Sequence, residues 1–186
     1  MDEKKIYVYE NWSTSSPQLL GVLNVGKKKA WEQYSFEFSA QYLNKKITYF
    51  LDPALNLYAG RQYPTDEKLF GVFSDSCPDR WGRLLMKKRE SFLAQKEQRR
   101  PCLFENSDYL LGVYDEGRMG ALRFSLKENG PFLSSDDALA TPPWVALRDL
   151  EAAARGFEGE DVSQQEKWLS MLLAPGSSLG GARPKA

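Results

Sequence analysis

The first sixty residues carry strand signals, with stretches in which apolar and polar positions alternate with a period of two. "KIYVYE" sets Ile6 and Val8 between polar or amphipathic neighbours, "LLGVLNV" follows a Ser-Pro turn, and "YSFEFS" alternates again through Phe36 and Phe38. Successive side chains of a strand point to opposite faces, so the pattern predicts a small antiparallel sheet. "ITYFLDPAL" is a candidate fourth strand, ended by Pro53, which has no N–H for a ladder. The polar run "AGRQYPTDEK" reads as a surface loop. Its stretch from Gly60 to Asp66 is the best domain boundary, dividing a strand-rich 1–62 from a mixed 63–186.

From Ser76 the period lengthens. In "SDSCPDRWGRLLMKKRESFLAQKEQRR", Ser76 can cap a helix with Asp79 as its reciprocal partner, and Pro78 suits a first turn. Trp81, Leu84, Leu85 and Phe92 then share a side at helical spacing. "YLLGVYDEGRMGALRFS" predicts two strands, Tyr109–Tyr114 and Ala121–Ser125, around the polar turn "DEGRMG". Two further helices are expected. One lies in "TPPWVALRDLEAAARGF", with a threonine cap and Gly156 as its stop. The other runs from Ser163 to Ala174, and its Trp168 and leucines would leave an apolar patch of several hundred Å², roughly, if no further lobe covered them.

Composition narrows the classes of function. At 186 residues with 42% hydrophobic and 13% aromatic residues, the chain has the makings of one or two folded domains. Lys plus Arg equal Asp plus Glu at 25 each, so no overall field favours a polyanion, and direct nucleic-acid binding by the whole chain is disfavoured. Cys77 and Cys102 have no CxxC spacing, and there is no histidine, which removes both a Cys/His zinc site and a Ser/His or Cys/His hydrolase. No secretory signal and no apolar run near the roughly 20 residues of a spanning helix is visible, so a cytoplasmic location is expected.

Four stretches offer chemistry. The closing "GSSLGGARPK" has glycines that let backbone N–H groups converge on an anion, with Arg183 and Lys185 adding charge. It matches neither the Walker pattern nor GxGxxG, so on composition alone a flexible terminus and a phosphate loop both stand. Asp75 and Asp79 could bind Mg²⁺ or exchange protons, but the cap already accounts for Asp79. Asp115, Glu116, Arg118 and Arg123 sit in "DEGRMGALRF", where turn chemistry suffices to explain the Asp and Gly. The basic cluster Lys87, Lys88, Arg89, Arg99 and Arg100 is either a solvated face near a helix C-terminus or a surface for an acidic partner.

Taken in order, "GVLNVG" with "YSFEFSAQYL", then "LFGVFSDSCPDRWGRLLM", then "YLLGVYDEGRMGALRF", and finally "SSLGGARPKA" resemble the HipA-type serine/threonine kinase toxins of bacterial toxin–antitoxin systems, over essentially the whole chain. The resemblance implies an α+β chain. A small antiparallel β-rich N-terminal subdomain (1–62) would precede a mixed, kinase N-lobe-like region (63–186) ending inside the nucleotide loop, with the helical C-terminal lobe absent from this sequence. It implies that Gly180, Gly181, Ala182, Arg183, Pro184 and Lys185 cover the ATP phosphates. Ser178 would be the autophosphorylated serine and Ser177 the lesser acceptor. A phosphoserine carries about −1.5 to −2 charges, so at a loop meant for ATP it would repel the nucleotide.

The Mg²⁺ ligands and base aspartate of the phosphoryl transfer would lie in the C-terminal lobe, so no catalytic residue and no metal ligand is assigned here. The complete kinase would use ATP and Mg²⁺ to phosphorylate a protein serine, by analogy on an aminoacyl-tRNA synthetase, under the control of a HipB-like DNA-binding antitoxin. This chain alone is expected to be inactive. The alternative is a non-enzymatic, antitoxin-like regulator of a separately encoded kinase core. Neither a direct nucleic-acid partner nor a membrane is expected.

Overall fold

A computed structural model describes residues 3–28, 31–45, 49–65 and 69–135. They belong to two compact units: one up to Ser76 that takes back Gly120–Leu133, and one from Cys77 to Met119 that continues from Ser134. This is a grouping in space, whereas the 62/63 boundary is one of composition.

The first unit is built on β1 (Lys4–Glu10), β2 (Gln18–Lys28), β3 (Trp31–Phe38) and β4 (Leu122–Ser125). All neighbours are antiparallel, in the order β3-β2-β1-β4. The first three strands fall where the alternation predicts them. Ile6, Leu23 and Phe36 stand side by side in register, as do Val8, Gly21, Phe38 and Phe124, so these positions share one face. That face is the core: Ile6, Val8, Leu23, Phe36 and Phe124 are fully buried. Phe36 packs edge-on to Phe38 at 5.0 Å and against Phe73 at 5.1 Å, and Phe73 meets Phe70 at 5.8 Å. Such ring pairs add about 0.5–1.5 kcal/mol each beyond the area they bury. A bulge at Val8/Tyr9 makes Gly21 and Leu19 successive partners and leaves Leu20 as the extra residue.

Two short helices complete this unit, α1 (Ala40–Leu43) and α2 (Gly71–Asp75). Ser39 caps α1 through its hydroxyl, which accepts from the Tyr42 N–H. The start of α2 has no local cap. Instead Asp52 reaches it from a distance: Oδ1 accepts from Ala54 N–H at 2.8 Å and Oδ2 from Val72 N–H at 2.9 Å. This turn at Asp52-Pro53 is why the described residues of "ITYFLDPAL", Tyr49 to Leu55, form no strand. The loop after it is only partly at the surface. Gln62 is buried, bridges Phe36 through both backbone groups, and closes on Asn56 with both ends of its side-chain amide.

The second unit holds α3 (Arg80–Lys96) and α4 (Asn106–Gly112). Asp79, not Ser76, caps α3: its Oδ1 accepts from Gly82 N–H at 2.7 Å, while Ser76 closes α2. Pro78 therefore precedes the cap rather than entering the first turn. Trp81 and Leu85 are buried as the spacing predicts, Phe92 is half-buried, and Leu84 is exposed because the buried face runs through Gly82 and Met86 instead. At its far end α3 closes on Gln98 in the left-handed region (φ 51°), with Gln98 N–H on Gln95 O and Arg99 N–H on Ala94 O.

Of the predicted strand Tyr109–Tyr114, Tyr109 to Gly112 are helical, and Val113 is extended without pairing in a strand. Glu105 accepts from the backbone of Asp108 while Asp108 accepts from Glu105 N–H, a reciprocal cap that starts α4 despite the strand-forming aromatics. The predicted hairpin therefore does not form, and β4 pairs with β1 instead. The architecture is α+β, with a small antiparallel sheet and a few helices.

Candidate functional site

Ile6, Val8 and Glu10 share the core-facing parity of β1, so the strand ends by carrying a carboxylate inward. Glu10 is fully buried. Its Oε2 accepts the N–H groups of Trp12 and Ser13, both at 3.0 Å; its Oε1 accepts the Ser13 hydroxyl and faces Lys45 Nζ at 3.4 Å. Burial alone would raise the Glu10 pKa. The Ser13 hydroxyl and N–H, the Trp12 N–H and Lys45 outweigh it and hold the carboxyl below its ordinary value.

Around this anchor lie three aromatic residues. The Trp12 indole N–H donates to the Tyr49 hydroxyl at 2.6 Å, and that hydroxyl meets Tyr42 Oη at 3.3 Å. Tyr42 stacks on Phe38 at 5.6 Å, and Lys45 lies 5.5 Å from the Tyr42 ring centre. Burial, then the Tyr49 hydrogen bond, pushes the Tyr42 phenol well above the usual tyrosine range, so it stays protonated. Trp12, Tyr49 and Phe50 are exposed at 40%, 44% and 72%. A carboxylate this fully engaged with backbone and hydroxyl donors is a poor general base. The cluster fixes the loop after β1 and presents aromatic surface, which suits contact rather than proton transfer.

Asp75 is exposed at the end of α2, and Asp79 is engaged as the α3 cap. In "DEGRMGALRF" the chemistry is structural: Arg118 is buried and donates from Nη1 to Leu110 O at 2.8 Å and from Nη2 to Val113 O at 3.1 Å, holding the end of α4. Burial lowers its pKa to about 10, against the opposing pull of Asp115 and Cys77. Glu116 accepts from the Tyr114 hydroxyl at 3.3 Å, and Arg123 lies over the Phe132 ring at 3.9 Å.

Arg83, which no sequence pattern marked, donates to Pro78 O and Asn106 Oδ1 and stacks over Tyr109 at 4.6 Å, fastening α3 to α4. Cys77 and Cys102 form no disulfide. Ser177, Ser178 and Gly180 to Lys185 lie outside the described residues, as do the two predicted helices at 141–157 and 163–174.

Among the described residues no group of His, Cys, Asp or Glu is placed to hold a metal ion, and no helix is long and apolar enough to cross a membrane. No protein-family profile, curated protein or solved structure matches this chain.

Proposed function

We propose that this sequence is the N-terminal part of a HipA-type serine/threonine kinase, whose glycine-rich segment Gly180–Lys185 covers the phosphates of ATP and whose Ser178 accepts a phosphoryl group. The supporting observation is the order of four motifs along one chain, "GVLNVG…YSFEFSAQYL", "LFGVFSDSCPDRWGRLLM", "YLLGVYDEGRMGALRF" and "SSLGGARPKA". The small antiparallel sheet, three of whose four strands lie in residues 1–62 and whose fourth, β4, comes from the third motif, agrees with the β-rich start the resemblance implies, at the level of architecture. ATP and Mg²⁺ are the cofactors of the complete kinase, a HipB-like antitoxin its partner, and the cytoplasm its location.

Incubation with γ-labelled ATP tests this. The 186-residue chain alone is expected to acquire no label; with the C-terminal lobe of a HipA-type relative supplied in trans, label appears on Ser178 and is lost in Ser178→Ala. Label acquired by the chain alone, or label indifferent to Ser178→Ala, overturns the proposal.

The exposed Trp12–Tyr49–Phe50 surface favours a second reading, a non-enzymatic partner of a separately encoded kinase core. Under that reading Trp12→Ala abolishes association with the core, while Gly180→Val and Gly181→Val leave it intact.

A further inference from the structure

Charge in this neutral chain is not spread evenly. From Arg80 to Arg100, the span of α3 and its closing turn, there are eight Lys and Arg against two Glu, in a chain balanced at 25 and 25. Parts of this surplus have local work. Arg83 fastens α3 to α4, and Arg99 holds Glu90 through both terminal nitrogens and Glu97 through Nε. Glu90 in turn accepts from Cys102 N–H at 2.7 Å, so both acidic residues of the span are taken up in its own closing turn.

Another part of the surplus stands on an exposed face. Leu84, Lys87, Lys88, Ser91 and Gln95 are all exposed, and their spacing of three, four, seven and eleven residues from Leu84 puts them in one stripe along α3. Trp81, Leu85 and Met86 are buried on another side. The stripe combines two adjacent ammonium groups with an apolar side chain that is 42% exposed one turn before them.

We propose that this stripe is a docking surface for an acidic protein segment carrying an apolar residue. Charge complementarity selects the partner's sign, and Leu84 selects a protein over a phosphate backbone, because a leucine gains nothing from phosphate but is buried by an apolar side chain. The net neutrality of the whole chain, which gives a polyanion no long-range attraction, argues the same way. The surface is drawn from α3 alone and stands whether or not the chain holds a nucleotide.

Fluorescence anisotropy tests it with two probes: a labelled peptide of about twelve alternating Glu and Leu residues, and a labelled DNA duplex of about twelve base pairs. The peptide is expected to bind, to weaken about tenfold between roughly 50 mM and 300 mM salt, and to bind more tightly than the duplex. Lys87→Glu with Lys88→Glu should weaken it at least tenfold, and Leu84→Ser about threefold. A control pair, Lys4→Glu with Lys5→Glu on β1, should leave it unchanged. Circular dichroism checks that each variant is folded. No peptide binding, equal loss in the α3 and β1 pairs, or tighter binding of the duplex overturns the proposal; the last outcome would make the stripe a nucleic-acid surface.

Discussion

Replacing Gly21 by alanine isolates one geometric demand of the sheet. Gly21 lies beside the bulge in β2, between Val8 of β1 and Phe38 of β3. A Cβ there would stand 2.6 Å from Phe36 Cζ, 3.0 Å from the Glu37 carbonyl carbon, and inside contact distance of the Glu37 oxygen. The oxygen belongs to the paired backbone of β3, and Phe36 is fully buried among Phe38 and Phe73, so neither can swing aside as a surface side chain could. Overpacking of this kind costs about 1–3 kcal/mol, and for a chain of this length each kcal/mol lowers Tm by roughly 2–4 °C.

Gly26 supplies the control in the same strand. A Cβ added there would meet Gln33 O at 4.0 Å, an ordinary contact. Gly26→Ala should be neutral or stabilising by about 0.5 kcal/mol, since it removes backbone freedom from the unfolded chain. Urea unfolding followed by far-ultraviolet circular dichroism measures both. A Gly21→Ala midpoint equal to or above that of Gly26→Ala would refute the assigned β2–β3 register.

Three further outcomes follow from single contacts. Asp52→Ala strands the N–H groups of Ala54 and Val72 at a buried site and should destabilise the chain by about 1–3 kcal/mol, with Asp52→Asn losing less because it keeps one acceptor; urea midpoints check the order. Gln98→Gly should raise stability by about 0.5–1 kcal/mol in the same assay, since it relieves the left-handed backbone at the end of α3. Glu10 has a depressed folded pKa, so its contribution is present above its ordinary value of 4.5 and is lost as pH falls through the folded value. Glu10→Gln should therefore be less stable than the parent at pH about 7, with the gap closing below pH about 4.5.

The sheet was legible in the sequence where one local signal acted alone. Period-two alternation located β1, β2 and β3 because each has an apolar face set against polar neighbours. The signal failed at Tyr109–Tyr114, where aromatic and aliphatic residues favour a strand but the Glu105–Asp108 cap, just upstream of that apolar run, starts a helix. Arg118 closes the Asp115–Arg118 turn through its N–H and also reaches the end of that helix with its guanidinium, a second role that the turn chemistry did not reveal. Ser76 and Asp79 both have capping chemistry, and only the end of α2 at Ser76 decides between them. Asp52 and Gln62 act on distant partners, Val72 and Phe36, and no short pattern contains both members of either pair.

Glu10 carries its signal in the strand pattern itself: a carboxylate on the inward parity of an apolar strand needs donors, and the following Trp12 and Ser13 provide them. Its role is structural, and other buried or capping polar groups share it. Glu10, Asp52, Gln62, Asp79 and Arg118 each bond backbone groups of the segment they hold, so altering any of them disturbs that segment first. Phosphoryl transfer under the proposed function therefore draws on groups outside this set, and stability and labelling should separate. With the C-terminal lobe of a HipA-type relative supplied in trans, Glu10→Gln moves the unfolding midpoint while label still reaches Ser178 at temperatures where the variant is folded, whereas Ser178→Ala abolishes labelling. Loss of label in folded Glu10→Gln would instead give the carboxylate a part in the reaction, against its full engagement with the Trp12 and Ser13 donors.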